Sequence, residues 1–240
     1  MGLPVMFPEM ALNCTLTMQP PPPNFTLLIL GATGLVGSQC LKLALCDSRI
    51  SRVIAPTRHP IPAHPKLINP VLDFENLPEA DWWNADAAVC ALGTTINLAG
   101  SKEAFRKVDA GYVMTSARLL RDAGCARFVL NSSLGADERS RNFYLKVKGQ
   151  AEAGLMSMNF EALTLVRPSL LAGGPRPERR YGEELGLWLA RYLGRLIPAK
   201  YRPVQTSAVA AVMHEAALSD RQGLYLIESD ELQHYSTGKS

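Results

Sequence analysis

Thr26–Leu30, a short run of apolar and β-branched residues, passes without a break into Gly31-Ala32-Thr33-Gly34-Leu35-Val36-Gly37, and helical periodicity follows. Few arrangements of a chain accommodate that junction. Glycines at the first, fourth and seventh positions allow a tight turn, a close approach of a diphosphate to backbone N–H groups, and close packing of helix on strand. The start of the helix then turns the positive end of its dipole toward the phosphates. Strand before and helix after are the context in which a glycine pattern gains meaning, so the segment predicts the opening βα unit of a dinucleotide-binding sheet.

The rest of the chain repeats that alternation. Further apolar runs lie at Arg52–Ala55, Lys66–Leu72 (interrupted by Pro70), Ala87–Leu92, Arg127–Leu130 and Leu163–Val166. The clearest helical pattern between them is Lys102–Ala123, with Phe105, Val108, Tyr112, Ser116 and Leu119 on one stripe and Gly124 as the stop. Near-continuous apolar strands separated by helices predict an α/β fold of Rossmann type, a doubly wound parallel sheet joined by right-handed crossovers. Residues 1–24 hold six prolines, four of them consecutive (Pro20–Pro23), and are expected to form a tail outside the fold. Residues 25–170 are the expected dinucleotide-binding domain. Residues 171–240 form the expected small C-terminal substrate or lid segment, with an amphipathic helix over about Glu183–Leu196.

Composition narrows the function classes. With 47% hydrophobic residues the chain is no disordered polymer, and 25 basic against 22 acidic residues argue against a nucleic-acid binder that relies on bulk charge. Five cysteines without close pairs read as reduced thiols, and no Lys or Arg precedes Lys42, so a cytoplasmic protein is expected. No apolar run approaches the length of a membrane span, and His214 and His234 lack partners at metal-ligand spacing, so no metal is expected.

The second strand ends in Ala55-Pro56-Thr57-Arg58-His59, without the carboxylate that usually holds the ribose hydroxyls of NAD(H). A guanidinium there suits a 2′-phosphate, and Thr57 adds a hydroxyl donor, so Arg58 favours NADP(H) over NAD(H). Asp73, ending the third run, can accept from an adenine amine or simply cap a helix or end a strand. In Leu92-Gly93-Thr94-Thr95, Gly93 lets the backbone lie close to a cofactor. Past the fifth run come Asn131-Ser132-Ser133 and then Tyr144 and Lys148, four positions apart and therefore on one helix face. A phenol titrating near 10 must shift by about three units to exchange protons near neutrality, and a cation about 4 Å away supplies roughly that much. A serine hydroxyl can hold the substrate oxygen. These groups, with Pro168, share one address: each lies beyond the carboxyl end of a predicted strand, or on the helix that follows, where open parallel sheets bind ligands.

The glycine pattern, Ser132-Ser133-x-Gly135-Ala136, Tyr144/Lys148 and Arg167-Pro168 resemble the atypical short-chain dehydrogenase/reductase superfamily. Leu92–Thr95, Val108-Asp109-x-x-Tyr112 and Asn142-Phe143-x-x-Lys146-x-Lys148-Gly149 look like its Tat-interactive-protein-like branch, from about Thr26 to Leu232. The resemblance implies that Tyr144 donates or accepts the proton, that Lys148 binds the nicotinamide ribose and tunes the phenol, and that Ser132 or Ser133 orients a carbonyl. Asp109 stands where many relatives carry a supporting asparagine.

Two kinds of protein fit best. One is an NADP(H)-dependent oxidoreductase acting on a small carbonyl or alcohol, as a monomer or homodimer; seven basic residues between Leu171 and Arg202 would draw an anionic substrate. The other binds NADP(H) as a redox sensor or regulator without turning anything over. An isomerase or epimerase that uses its cofactor transiently is a third.

Overall fold

The computed structural model describes residues 24–172 and 198–237. The proline-rich segment, the helix expected at Glu183–Leu196 and most of the basic cluster lie outside the described residues.

Seven strands form one sheet in the order β3-β2-β1-β4-β5-β6-β9, and every neighbouring pair is parallel. They are β1 (Thr26–Leu30), β2 (Arg52–Ile54), β3 (Leu67–Ile68), β4 (Ala87–Cys90), β5 (Arg127–Asn131), β6 (Ala162–Arg167) and β9 (Gly223–Glu228). A separate pair, β7 (Leu171–Ala172) and β8 (Val204–Gln205), is also parallel. All of β1 and β4 is buried, as central strands covered on both faces require. On one face α1 (Leu35–Cys46) and α6 (Thr206–Leu218) bury Val36, Cys40, Val209 and Met213. On the other, α4 (Val113–Asp122) and α5 (Phe143–Met156) bury Leu120 and Leu155 beside Trp83 and Phe128. The doubly wound fold follows from that division. Among the described residues no helix is long and apolar enough to cross a membrane.

Three departures from the sequence reading have local causes. The third strand shrinks to two residues because Pro70 has no N–H to give Ala55. The Asn69 side-chain amide donates to the Ala55 carbonyl instead, at 2.6 Å, and the ladder resumes with Leu72 N–H donating to Thr57. The long helix is not one α-helix. After the short α2 (Ile96–Ala99) it is α3 (Lys102–Arg106), a π-helical turn (Lys107–Tyr112) and α4, ending at Gly124 in the left-handed region with φ +90°. The wider turn moves the buried stripe on by one residue, so Asp109 and Val113 are buried where Val108 and Tyr112 were expected. Finally, β9 was not foreseen: it pairs with β6 along six residues but leaves Leu224 and Leu226 exposed. The C-terminal segment thus adds an edge strand to the main sheet, followed by α7 (Ser229–Thr237).

Asp47, at the C-terminus of α1, ties that helix to α6. Its carboxylate accepts from the Arg49 guanidinium at 2.7 Å and lies 2.8 Å from His214 Nε2, while Arg49 also pairs with Glu215 at 2.6 Å. Burial alone would raise the Asp47 carboxyl, but the hydrogen bonds from Arg49 and His214 outweigh it and hold it well below the ordinary carboxylate range. A carboxyl depressed by folding contributes stability above its unfolded value, near 3.9, and loses that contribution as the pH falls further. Asp47→Ala is therefore expected to cost about 2–4 kcal/mol at neutral pH in a urea titration, less of it below pH 4. A cost within the ordinary surface range of about 0.5 kcal/mol would contradict this role.

Candidate active site

The glycine turn requires two of its glycines absolutely. Gly31 has φ +79°, and a Cβ there would sit 2.6 Å from the Ala91 carbonyl oxygen. A Cβ on Gly37 would sit 2.1 Å from the Gly31 carbonyl oxygen. Gly34 closes the turn by donating its N–H to Gly31 at 2.9 Å and caps α1 without a side chain, so no side chain competes for the N–H groups of the first helical turn. Ala32 is buried and Thr33 exposed at the bend.

Gly34, Leu35 and Val36 form one wall of a cleft of about 890 Å³. The other walls are 91–98 after β4, 131–134 after β5, Tyr144 and Lys148 on α5, and 168–171 after β6. The structure thus gathers Gly34, Leu35, Val36, Leu92, Gly93, Thr94, Thr95, Ser132, Ser133, Tyr144, Lys148 and Pro168 around one cavity. Tyr144 is half-buried, with its ring 5.5 Å from that of Phe105. Lys148 is buried, and its Nζ lies 2.8 Å from Asp109 Oδ1. The other Asp109 oxygen accepts from Thr94 N–H at 2.8 Å. Gly93 leaves room for this pair, since a Cβ there would stand 3.3 Å from Asp109 Oδ1 and 3.6 Å from Lys148 Nζ. Burial by itself would lower the Lys148 ammonium; the charges of Asp109 and Tyr144 outweigh it, and its pKa is raised.

Asp109 is the site residue that sequence reasoning did not place against Lys148. A carboxylate next to the apolar stripe was the available signal, and the π turn, invisible in the periodicity, brings it inside. Both serines line the cleft, but differently. Ser132 Oγ is buried with no hydrogen-bond partner among the described residues, as is Asn131 Oδ1, whereas Ser133 Oγ lies 3.5 Å from the Leu134 carbonyl. The loop carrying them is pinned to the end of β6 by Ser132 N–H donating to Val166 and Leu134 N–H donating to Pro168.

The groups expected at the opposite end are not part of the cleft wall. Thr57 Oγ1 donates to the His59 carbonyl at 2.6 Å and accepts from Asn69, so its hydroxyl hydrogen is committed within the turn. Asp73 is exposed and accepts from Glu75 N–H at 3.0 Å, capping a turn. Arg58 is exposed at the end of β2. Nearby, Tyr112 donates to Glu75, which also pairs with Lys107. Burial first, then that bond to Glu75, pushes the Tyr112 phenol up to about 12, with Arg58 pulling the other way.

A nicotinamide dinucleotide fits this cleft. The turn brings bare backbone to the surface where a diphosphate needs it, and the unpartnered Ser132 and Asn131 atoms and the Tyr144 phenol await polar partners at the other end.

No protein-family model matches the chain. Among curated proteins, it is 34% identical over 222 residues to Protein HTATIP2 of Rattus norvegicus, covering 88% of this chain and 89% of that protein. It is 32% identical to Protein FMP52, mitochondrial, of Candida albicans, covering 77% and 84% respectively. Among solved structures, MoeE5 in complex with UDP-glucuronic acid and NAD superposes with a TM-score of 0.65 at 17% identity, over 85% of this chain and 76% of that one.

The expectation of a cytoplasmic protein does not stand, because the FMP52 relatives are named as mitochondrial. Its physical basis was weak. Cys40, Cys90 and Cys125 are free thiols that burial pushes up to about 12, and buried inert thiols do not distinguish one compartment from another. With its parallel sheet, its glycine turn and relatives matched along most of their length, the chain belongs to the atypical short-chain dehydrogenase/reductases, in the NAD(P)-binding branch of the Tat-interactive-protein-like oxidoreductases.

Proposed function

We propose that the protein is an NADP(H)-dependent oxidoreductase acting on a small carbonyl or alcohol. The observation that carries this reading is the convergence of Tyr144, the buried Lys148 and the unpartnered Ser132 hydroxyl in the cleft that opens at the glycine turn. When bound, the nicotinamide supplies or accepts the hydride. In the direction of reduction, Ser132 donates a hydrogen bond to the substrate oxygen and holds the carbonyl in place. Tyr144 gives its phenolic proton to that oxygen, and the Lys148 ammonium stabilises the phenolate left behind. In oxidation the same phenol takes the proton back. Lys148 would also donate to the ribose hydroxyls of the bound cofactor, and Asp109 holds the ammonium in position.

Arg58 is the residue we assign to a 2′-phosphate, since it is exposed just past β2 and no carboxylate ends that strand. Charge reversal there should remove the preference. Fluorescence titration is expected to show NADPH binding at least about tenfold more tightly than NADH, with the advantage abolished in Arg58→Asp. Equal affinity of the unaltered protein for both would refute the assignment. Binding without turnover is a second reading, favoured by the Asp109 carboxylate that neutralises Lys148. A panel of aldehydes and ketones followed at the NADPH absorbance band separates the two.

A further inference from the structure

We infer that Asp109 sets the balance of affinity between the oxidised and reduced forms of the cofactor, favouring the oxidised one. The inference rests on the reading of the cleft as a nicotinamide dinucleotide site. Asp109 and Lys148 are the only charged side chains among the described residues that line it. Both are buried, and their ion pair of 2.8 Å makes the local charge zero. Reduced nicotinamide is neutral, while the oxidised ring carries a positive charge. Beside an unopposed ammonium in a cavity of low dielectric, that positive ring would be repelled; beside the neutral pair it is not.

The local structure indicates that the carboxylate is held there for a purpose. A buried charge is costly, and an asparagine of the same shape would keep the hydrogen bond from Thr94 N–H. The π turn spends one extra residue to present Asp109, instead of Val108, to the interior. What asparagine would not keep is the negative charge against Lys148.

The test is the ratio of the dissociation constants of NADP+ and NADPH, measured by calorimetry or fluorescence on the full chain and two variants. Asp109→Asn should weaken NADP+ relative to NADPH by at least about tenfold, and Lys148→Met, which leaves the carboxylate unopposed, should move the ratio the opposite way. A merely structural role for Asp109 would weaken both forms alike. An unchanged ratio in Asp109→Asn overturns the inference while leaving the cofactor site intact. Should Asp109→Asn fail to fold, the same ratio measured in Asp109→Ser, which also removes the negative charge, decides in its place. If the unaltered protein binds neither form, the reading of the cleft itself is wrong.

Discussion

Replacing Tyr144 with phenylalanine is expected to lower turnover by about a thousandfold or more while leaving the dissociation constant for NADPH within about threefold. The substitution is unusually clean here. Tyr144 sits at the start of α5, half-buried, and its ring is held against that of Phe105, a contact that phenylalanine reproduces. Only the hydroxyl disappears. The proposed role of that hydroxyl is to exchange a proton with the substrate oxygen, not to hold the diphosphate. Steady-state rates on whichever carbonyl the panel identifies, together with a fluorescence titration of NADPH, check both halves of the expectation. Turnover that survives unchanged would remove Tyr144 from the chemistry, and a parallel loss of cofactor affinity would make it a binding residue instead.

The second large effect belongs to Gly37. An alanine methyl at that position would meet Gly31 O at 2.1 Å, Gly31 C at 2.7 Å and Ala32 Cα at 3.2 Å, all of them backbone atoms. No side chain can rotate out of the way, so the turn or the docking of α1 on β1 must give. Gly37→Ala should destabilise the protein by about 3 kcal/mol or more and weaken NADPH binding by at least about a hundredfold. Gly34 provides the internal contrast. A methyl there meets Gly31 O at 3.3 Å and Ala91 O at 4.0 Å, neither closer than 3 Å, and φ is −79°, so Gly34→Ala should be far milder in stability. Urea denaturation and cofactor titration on the two variants separate a general intolerance of the segment from the specific close approach at Gly37. Equal behaviour of both would contradict the packing account.

The two glycines also show why so much of the fold was legible from residues alone. A strand buried on both faces, a turn that needs glycine at Gly31 and Gly37 and a helix that starts without a capping side chain are each local, and each writes its own composition into Thr26–Gly37. The central strands β4, β5 and β6 were legible for the same reason. Where the reading failed, the determinant was not local. β9 lies on the sheet edge, and exposed Leu224 and Leu226 blur its pattern. Its identity as a strand comes from pairing with β6, some sixty residues away in the chain. The loss of ladder length at β3 was foreshadowed by Pro70, but the repair by the Asn69 amide was not.

The site divides similarly. The spacing of Tyr144 and Lys148 placed both on one face of a helix, and that face proved to border the cleft. Thr57 and Asp73 have side chains whose hydrogen bonds are equally useful to a ligand and to a turn, and the turn holds them. Asp109 was hidden by a single π turn, which changes the helical period within six residues. Periodicity read at 3.6 residues per turn assigns the wrong neighbour to the interior, and with it misses the ion pair that governs the charge of the cleft.

A dinucleotide is expected to lie across the carboxyl edge of the sheet, its diphosphate against the Gly31–Gly37 turn and its nicotinamide beside Tyr144. Difference density from crystals soaked in NADPH tests it most directly. The expected result is continuous density from that turn to the Tyr144 hydroxyl, with Lys148 Nζ on the nicotinamide ribose. An empty turn at millimolar cofactor, or a nicotinamide ring bound away from Tyr144, would contradict it.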